Sequence, residues 1–182
     1  MSEDLGRQWF VMRDLKRHNA LRRSYADLRD QGIEVYTPMQ WRVRQKGEKK
    51  LRELVPVIPD LLFVCDTKSH LDPLVEKTPT LQYRFARGCR ASQPMTVRDE
   101  DMRRFISAVA DSDEASTRFF APDEVTDDML GHAVRVVGGP FDSYEGRLLK
   151  VRGSRHRWLM IELPHVLAAA VRIHPDFIQL LD

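Results

Sequence analysis

The stretch AVRVVGGPFDSYEGRLLKV, residues 133–151, places two alternating apolar runs on either side of a glycine-rich turn. Gly138 and Gly139 allow the chain to adopt positive φ after the first run, and Gly146 allows a bulge or a close backbone contact beside a bulky ring. Phe141 and Tyr144 then either cover one end of a small barrel or present a partner surface. The stretch predicts two strands of a small β domain.

The chain that follows continues the same texture of short apolar runs separated by turn residues. Five such runs in about fifty residues favour a small five-stranded barrel, because closure removes exposed sheet edges. Residues 168–170 are all alanine and fit either a strand or a helix, and Ile173 is expected to be buried in both cases. The five predicted strands are residues 133–137, 146–151, 158–163, 168–173 and 177–181.

Charge divides the 182 residues, whose formal net charge is +2, into three parts. Residues 1–110 carry a net +6, residues 111–130 carry −6 and residues 131–182 carry +2. The acidic middle part has few apolar residues able to bury area, which indicates a solvated linker between two folded domains.

The first part mixes helical and strand patterns, so the fold class is α+β, with a mostly antiparallel sheet and helices packed on it. A helix over residues 19–31 is predicted from Leu21, Tyr25 and Leu28 at helical spacing, with Gly32 at its C-terminal cap. A second helix carries Leu71, Leu74 and Val75, entered through Ser69. Thr96 and Asp99 resemble a capping box that opens a third helix, with its apolar stripe at Met102, Phe105, Ile106 and Val109.

Strands are predicted at residues 9–12, 33–36, 56–65 and 81–85. Residues 56–65 form a continuous apolar run that suits the middle of a sheet. Trp41 and Val43 alternate with Arg42 and Arg44 before a turn at Gly47, which predicts a β-hairpin with a cationic, exposed tip.

Several kinds of chemistry find no support in the sequence. Cys65 and Cys89 form no CxxC pair and are expected to be reduced thiols of a cytoplasmic protein. His156, His165 and His174 lack carboxylate or cysteine partners at ligand spacing, so no metal site is expected. No phosphate-binding glycine loop or nucleophile motif is present, so we expect no cofactor and no enzymatic activity, and no apolar run reaches membrane-spanning length.

The opening stretch resembles the KOW motif of the NusG family of transcription elongation factors in its V-R-V, its G-P-F, its following aromatic residue and its acidic residue before glycine. Four earlier segments resemble the N-terminal domain of that family in the same order: QWFVM, GIEVYTPM, VIPDLLFV and QPMTVRDEDMRRFI. The resemblance implies a polymerase-binding domain at 1–110, a linker at 111–130 and a KOW domain, with a five-stranded SH3-like β-barrel, at 131–182. Where the family usually has Pro-Gly-Tyr, this chain has Pro59, Asp60 and Leu61. In this departure the chain is more similar to specialised UpxY-like or RfaH-like antiterminators of surface polysaccharide operons.

The resemblance implies that the first domain binds the clamp helices of RNA polymerase through an apolar depression, favours the closed clamp and suppresses pausing or termination. Leu61 is expected to be at least partly exposed, because it occupies the family's usual Tyr position. Trp9 and Phe63 fit equally well as core residues. The residues implied in polymerase binding are Trp9, Pro59, Leu61, Phe63, Tyr83 and Phe85.

By the same resemblance, two basic regions face the non-template strand or the upstream DNA duplex, where neutralised phosphates give salt-sensitive affinity. A solvated charged surface is the alternative for both regions. The implied nucleic-acid-binding residues are Lys16, Arg17, Arg22 and Arg23 near the first helix and Arg42, Arg44, Lys46, Lys49 and Lys50 on the hairpin.

The resemblance implies that the KOW domain recruits ribosomal protein S10, the termination factor Rho or another partner, with the chain itself a monomer. Phe141 fits barrel closure as well, and the loop arginines fit free solvent. The implied contact residues are Phe141, Tyr144, Arg152, Arg155 and Arg157. A different class of function also fits the residues: an RNA- or ribosome-binding KOW protein that acts without direct polymerase contact.

Overall fold

The computed structural model describes residues 6–17, 20–86, 93–110, 117–139 and 141–181. By its internal contacts the chain separates into two compact units, Met1–Asp99 and Glu100–Asp182. The division predicted from the sequence, with a boundary at residue 110 and a linker to residue 130, stays a prediction. The observed mixture of helices and antiparallel sheets confirms the α+β class.

The secondary structure contains the predicted elements in the predicted order, with two further strands, Thr96–Val97 and Thr117–Phe120, that were not predicted. The N-terminal unit contains β1 (Gln8–Asp14), α1 (Ser24–Asp30), β2 (Glu34–Tyr36), β3 (Met39–Lys46), β4 (Lys49–Pro56), β5 (Leu61–Asp66), α2 (Lys68–Lys77), β6 (Leu81–Tyr83) and β7 (Thr96–Val97), and α3 (Asp99–Ala110) begins at its end. The C-terminal unit continues with β8 (Thr117–Phe120), β9 (Leu130–Val136), β10 (Glu145–Leu149), β11 (Arg157–Leu163), β12 (Leu167–Ile173) and β13 (Ile178–Leu180).

The N-terminal sheet has the strand order β2-β5-β1-β6, with β7 pairing against another part of β1. Strand β5 lies inside the sheet, between β2 and β1, which agrees with the central position predicted for the apolar run, and every residue from Leu61 to Cys65 is buried. The predicted bounds of 56–65 are wrong at the start, because Pro56 belongs to β4 and a turn precedes Leu61. Phe10, Met12, Leu62 and Val64 lie in one core cluster that also contains residues of α1 and α2. The two helices therefore cover one face of this sheet.

Helix α1 is shorter at its start than the predicted helix over 19–31, because a carboxylate from β1 fixes where it begins. Asp14 accepts hydrogen bonds from the backbone N–H and the hydroxyl of Ser24, both at 2.9 Å. Leu21 therefore lies before the helix and is fully exposed, so its predicted place in the apolar stripe is wrong. Gly32 ends the helix at φ 76°, as predicted.

The other two helices begin at different residues from those predicted. Thr67, rather than Ser69, caps α2, since its hydroxyl accepts the N–H of His70 at 3.3 Å. Thr96 belongs to β7 and pairs with Phe10, so it does not open α3, which starts three residues later. The predicted stripe on α3 is otherwise present: Met102 and Phe105 are fully buried.

The C-terminal unit forms a six-stranded antiparallel sheet in the order β13-β9-β10-β11-β12-β8. All five predicted strands are observed, and residues 168–170 lie in strand β12 with Ile173 buried. The sixth strand, β8, comes from within the predicted linker and pairs with β12. Among the described residues, the two end strands β13 and β8 do not pair with each other. The strand pairing therefore does not close the sheet into the predicted barrel.

The turn between β9 and β10 uses its glycines as the sequence predicts. Gly138 and Gly139 have φ of 89° and 72°, a region that glycine adopts at little cost. A Cβ on Gly146 would lie 2.8 Å from Cε1 of Tyr144 and 3.0 Å from the carbonyl oxygen of Met160, so only glycine fits beside that ring. Pro140 and Cys89 lie outside the described residues, whereas Cys65 is buried in β5.

Candidate functional site

Three of the six residues implied in polymerase binding lie on one face of the N-terminal sheet. Directly opposite residues of antiparallel strands share a face, and Trp9 lies opposite Cys65, Val11 opposite Phe63 and Arg13 opposite Leu61. Trp9, Leu61 and Phe63 are at most 2% exposed. The predicted exposure of Leu61 is therefore wrong: it opens a strand that is buried on both faces, and the side chain points into packed protein.

Tyr83 and Phe85 lie on the opposite face, at the end of β6. Tyr83 pairs with Met12 in register, and its ring contacts Phe10 at a centroid distance of 5.6 Å. Its hydroxyl donates to Asp72 at 3.0 Å, and burial together with that hydrogen bond raises the pKa of Tyr83. Phe85 stacks edge-on against Tyr83 at 6.5 Å but is itself 50% exposed. In this pair, Tyr83 is held in place by its contacts, and Phe85 leaves about half of its surface exposed to solvent.

Pro59 is exposed in the turn before β5. Asp60 in the same turn forms ion pairs with Arg13 at 3.1 Å and Arg84 at 3.3 Å, which tie the turn to β1 and to the end of β6. Arg23 donates to the carbonyl of Pro59 from the start of α1. The departure from the family pattern at this turn therefore supplies a carboxylate that holds three elements together.

The basic residues near α1 are mostly engaged in ion pairs within the protein. Lys16 and Arg22 each contact Asp27 at 2.5 Å, and hydrogen bonds from Lys16 and Arg22 lower the pKa of Asp27 against the opposing effect of burial. The side chain of Arg23 is 13% exposed and pairs with Asp14 at 3.3 Å. Arg23 is therefore held by contacts within the protein, and its phosphate contact stays a prediction. Arg17 is exposed.

The hairpin of β3 and β4 places its predicted residues on the surface. The two strands pair only with each other, in eight residue pairs from Met39–Pro56 to Lys46–Lys49, and Gly47 turns the chain at φ 63°. Every residue from Trp41 to Arg52 is exposed. This arrangement brings together Arg42, Arg44, Lys46, Lys49 and Lys50, and Glu53 lies opposite Arg42.

One face of the hairpin carries apolar residues that were not predicted to be functional. Trp41 lies opposite Leu54 and Val43 lies opposite Arg52, so these four side chains share a face, and Arg52 lies over the Trp41 ring at 4.7 Å. Trp41, Val43 and Leu54 are 45%, 64% and 48% exposed. The alternation of Trp41 and Val43 with arginines was the available signal, because on an unpartnered hairpin it leaves both faces open.

In the C-terminal unit, Phe141 and Tyr144 line a cavity of about 270 Å³ together with Arg103, Arg104, Ser107 and Ala108 of α3. Burial, and next the nearby carboxylate of Glu162, raises the pKa of Tyr144 to about 12. Both rings are half-buried. They therefore combine a packing role with a limited accessible surface.

The basic residues of the implied partner site lie elsewhere. Arg152, Arg155 and Arg157 are exposed around the β10–β11 loop, whereas Phe141 and Tyr144 lie in the β9–β10 loop. Because these loops join opposite ends of β10, the structure separates the two halves of the predicted contact set. Sequence reasoning missed an exposed apolar group along β13 and the end of β9: Val137, Phe177, Leu180 and Leu181.

The described residues contain no group of three or more His, Cys, Asp or Glu side chains arranged to hold a metal ion. None of the helices in the described part of the chain combines the length and the hydropathy needed to cross a membrane.

Comparison with known proteins assigns the family. The family model described as "NusG: Transcription termination factor nusG" matches residues 7–106. A search of curated proteins gave no match. Among solved structures, a chain titled "Domain interaction in Thermotoga maritima NusG" has a TM-score of 0.47 and 16% sequence identity, and the superposition covers 97% of this chain and 98% of that chain. Since the family model spans more than half of its residues, the chain belongs to the NusG family of transcription factors.

Proposed function

We propose that this transcription elongation or antitermination factor binds the clamp helices of RNA polymerase through its N-terminal unit. A ligand that binds the closed clamp more tightly than the open clamp shifts the polymerase population towards the closed state, which suppresses pausing or termination without any chemical step. The family match over residues 7–106 carries this proposal. We place the protein in the cytoplasm and its targets among surface polysaccharide operons, which its departures at Asp60 and Leu61 favour.

The accessible residues of the implied set are the proposed contact. Phe85, Tyr83 and Pro59 offer apolar surface, whereas Trp9, Leu61 and Phe63 are buried and support the sheet from within. Phe85 is the best single candidate, because its neighbour Tyr83 is held by Phe10 and Asp72 and so presents the ring in a fixed position.

The hairpin is the proposed contact with the non-template strand or upstream DNA. Its basic residues are exposed and numerous, whereas those near α1 are largely neutralised by Asp27 and Asp14. For the C-terminal unit we propose a partner-recruiting KOW role, for which ribosomal protein S10 and Rho are the candidates that the resemblance implies. The exposed apolar group at Phe177 and Leu180 supports a protein partner there.

Capture of core RNA polymerase by the full chain tests the proposal. A phenylalanine presents about 200 Å² of apolar area, so covering the open half of Phe85 removes about 100 Å² from water, or about 2.5 kcal/mol. Phe85→Ala should therefore weaken polymerase binding roughly 60-fold. Leu21→Ala, at a fully exposed site of the same unit, is the matched control and should bind as the wild type does.

Equal affinity of the Phe85→Ala variant and the wild type would remove Phe85 from the contact. Failure of the wild-type chain to bind polymerase at all, combined with RNA binding in its absence, would instead favour the RNA- or ribosome-binding alternative.

A further inference from the structure

We propose that the face of the hairpin formed by Trp41, Val43, Arg52 and Leu54 is a stacking site for single-stranded nucleic acid. We call these four residues the Trp41 face. The inference deepens the proposed nucleic-acid contact of the hairpin and rests on it, but it specifies the form of the nucleic acid and names residues that bind bases as well as phosphates.

The exposure of this face is the first observation. Trp41, Val43 and Leu54 leave about half or more of their surface in solvent, side by side on a hairpin whose strands pair only with each other. Trp9 and Trp158, in contrast, are 1% and 3% exposed. An exposed cluster of large apolar side chains of this kind indicates a binding surface.

Charge complementarity selects the occupant. Residues 39–56 contain six basic and two acidic residues, and Lys50 lies on the same face as Arg52, one step nearer the tip. A protein partner of ordinary surface composition does not complement so many positive charges. A polyanion with flat apolar rings complements both the charges and the exposed apolar side chains. Single-stranded nucleic acid presents such rings, and a duplex keeps them inside its base stack.

The arrangement of Trp41 and Arg52 suits stacking. The guanidinium carbon of Arg52 lies 4.7 Å from the centre of the Trp41 ring, at a diagonal position across the two strands. This cation–π contact fixes the orientation of the ring and places a positive charge beside it. A nucleobase that stacks on the open part of the ring would bring its phosphate within reach of the Lys50 and Arg52 charges.

Fluorescence anisotropy of a dye-labelled oligothymidylate of about 12 nucleotides, titrated with the full chain, measures the affinity of the wild type and of each variant and tests the inference. In the wild type, quenching of tryptophan fluorescence by the unlabelled oligonucleotide reports in addition on Trp41, since the other two tryptophans are buried. Trp41→Ala should weaken binding by about five- to 150-fold, the range measured for single base–aromatic stacks, while Trp41→Phe should retain most of the affinity. For an abasic oligonucleotide of equal length, the wild type and Trp41→Ala should have the same affinity. The two proteins should also have the same affinity for a duplex.

Salt dependence separates stacking from charge. Trp41→Ala should leave the slope of log affinity against log salt unchanged, whereas Lys50→Gln should reduce its magnitude by about 0.7. Arg29→Gln removes a charge from α1, away from the hairpin, and should change neither quantity.

Equal affinity of wild type and Trp41→Ala for the oligothymidylate would overturn the inference. It would also be overturned if Trp41→Ala lost as much affinity for the abasic strand as for the oligothymidylate. Loss of polymerase binding by Trp41→Ala in the absence of nucleic acid would assign the face to a protein contact instead. Because the titration uses no polymerase, its failure leaves the Phe85 result untouched, and failure of the Phe85 experiment leaves the titration interpretable.

Discussion

Replacement of Asp14 is expected to destabilise the N-terminal unit strongly. The carboxylate is 4% exposed, accepts hydrogen bonds from Lys16 and Ser24, and pairs with Arg23, which is itself largely buried. Each hydrogen bond to a charged group contributes about 1.5–3 kcal/mol, and removing one partner of a buried ion pair costs about 3–5 kcal/mol. These terms overlap, so Asp14→Ala should lose about 3–5 kcal/mol rather than their sum.

Urea denaturation followed by circular dichroism measures this loss, with the free energy of unfolding obtained by linear extrapolation. The transition of the N-terminal unit should shift, and that of the C-terminal unit should not. Asp30→Ala is the control: Asp30 pairs with Arg22 at the surface, where such pairs contribute about 0–1 kcal/mol. Asp14→Asn keeps one acceptor oxygen and should fall between the two.

A loss below about 1 kcal/mol in Asp14→Ala, indistinguishable from Asp30→Ala, would refute the reasoning, because buried ion pairs broken on one side cost several times more. The result bears on function as well. Arg23 connects Asp14 to the carbonyl of Pro59, so the variant should also lose order at the exposed turn proposed to meet the polymerase.

Further outcomes follow from contacts described above. Gly146→Ala should destabilise the C-terminal unit by about 1–3 kcal/mol, measured as a lower midpoint in thermal unfolding, because its Cβ would overlap Tyr144. Gly6→Ala, where the added Cβ meets open space at a backbone position without positive φ, is the comparison and should leave the midpoint unchanged. Phe63→Ala should cost about 3–5 kcal/mol in urea unfolding, since the ring is fully buried. Because the pKa of Asp27 is lowered in the folded state, its ionised carboxylate stabilises the fold at pH values above its ordinary pKa of 3.8. This contribution to stability is lost as the pH falls through the folded-state pKa. Asp27→Asn should therefore show a smaller loss of stability on acidification, followed by circular dichroism.

The order and type of most elements could be predicted from the sequence because local patterns determine them. Alternating apolar runs located the five C-terminal strands. Gly47 was recognisable because its positive φ suits few other residues, and Gly146 because a Cβ there would overlap the ring of Tyr144. The start of α1 could not be predicted in this way, because it depends on Asp14, ten residues earlier, whose carboxylate becomes a cap only after the sheet has formed.

The candidate sites were predicted less well, for two physical reasons. The exposure of Leu61 was mispredicted because it was inferred from the family's usual Tyr position, whereas the continuous apolar run from Leu61 to Cys65 is the pattern of a strand covered on both faces. Charge likewise shows no partner: Arg23 and Arg44 look alike in sequence, yet one pairs with Asp14 inside the protein and the other lies open on the hairpin.

Because β3 and β4 pair only with each other, the length of this hairpin can change without affecting the stability of the rest of the fold. Its eight residue pairs extend about 27 Å, and because no third strand joins them, inserting two residues into each strand would lengthen the arm by about 7 Å while keeping every side chain on its original face. Selection could thus adjust how far the arm extends, and what its two sides display, without altering a single contact in the core.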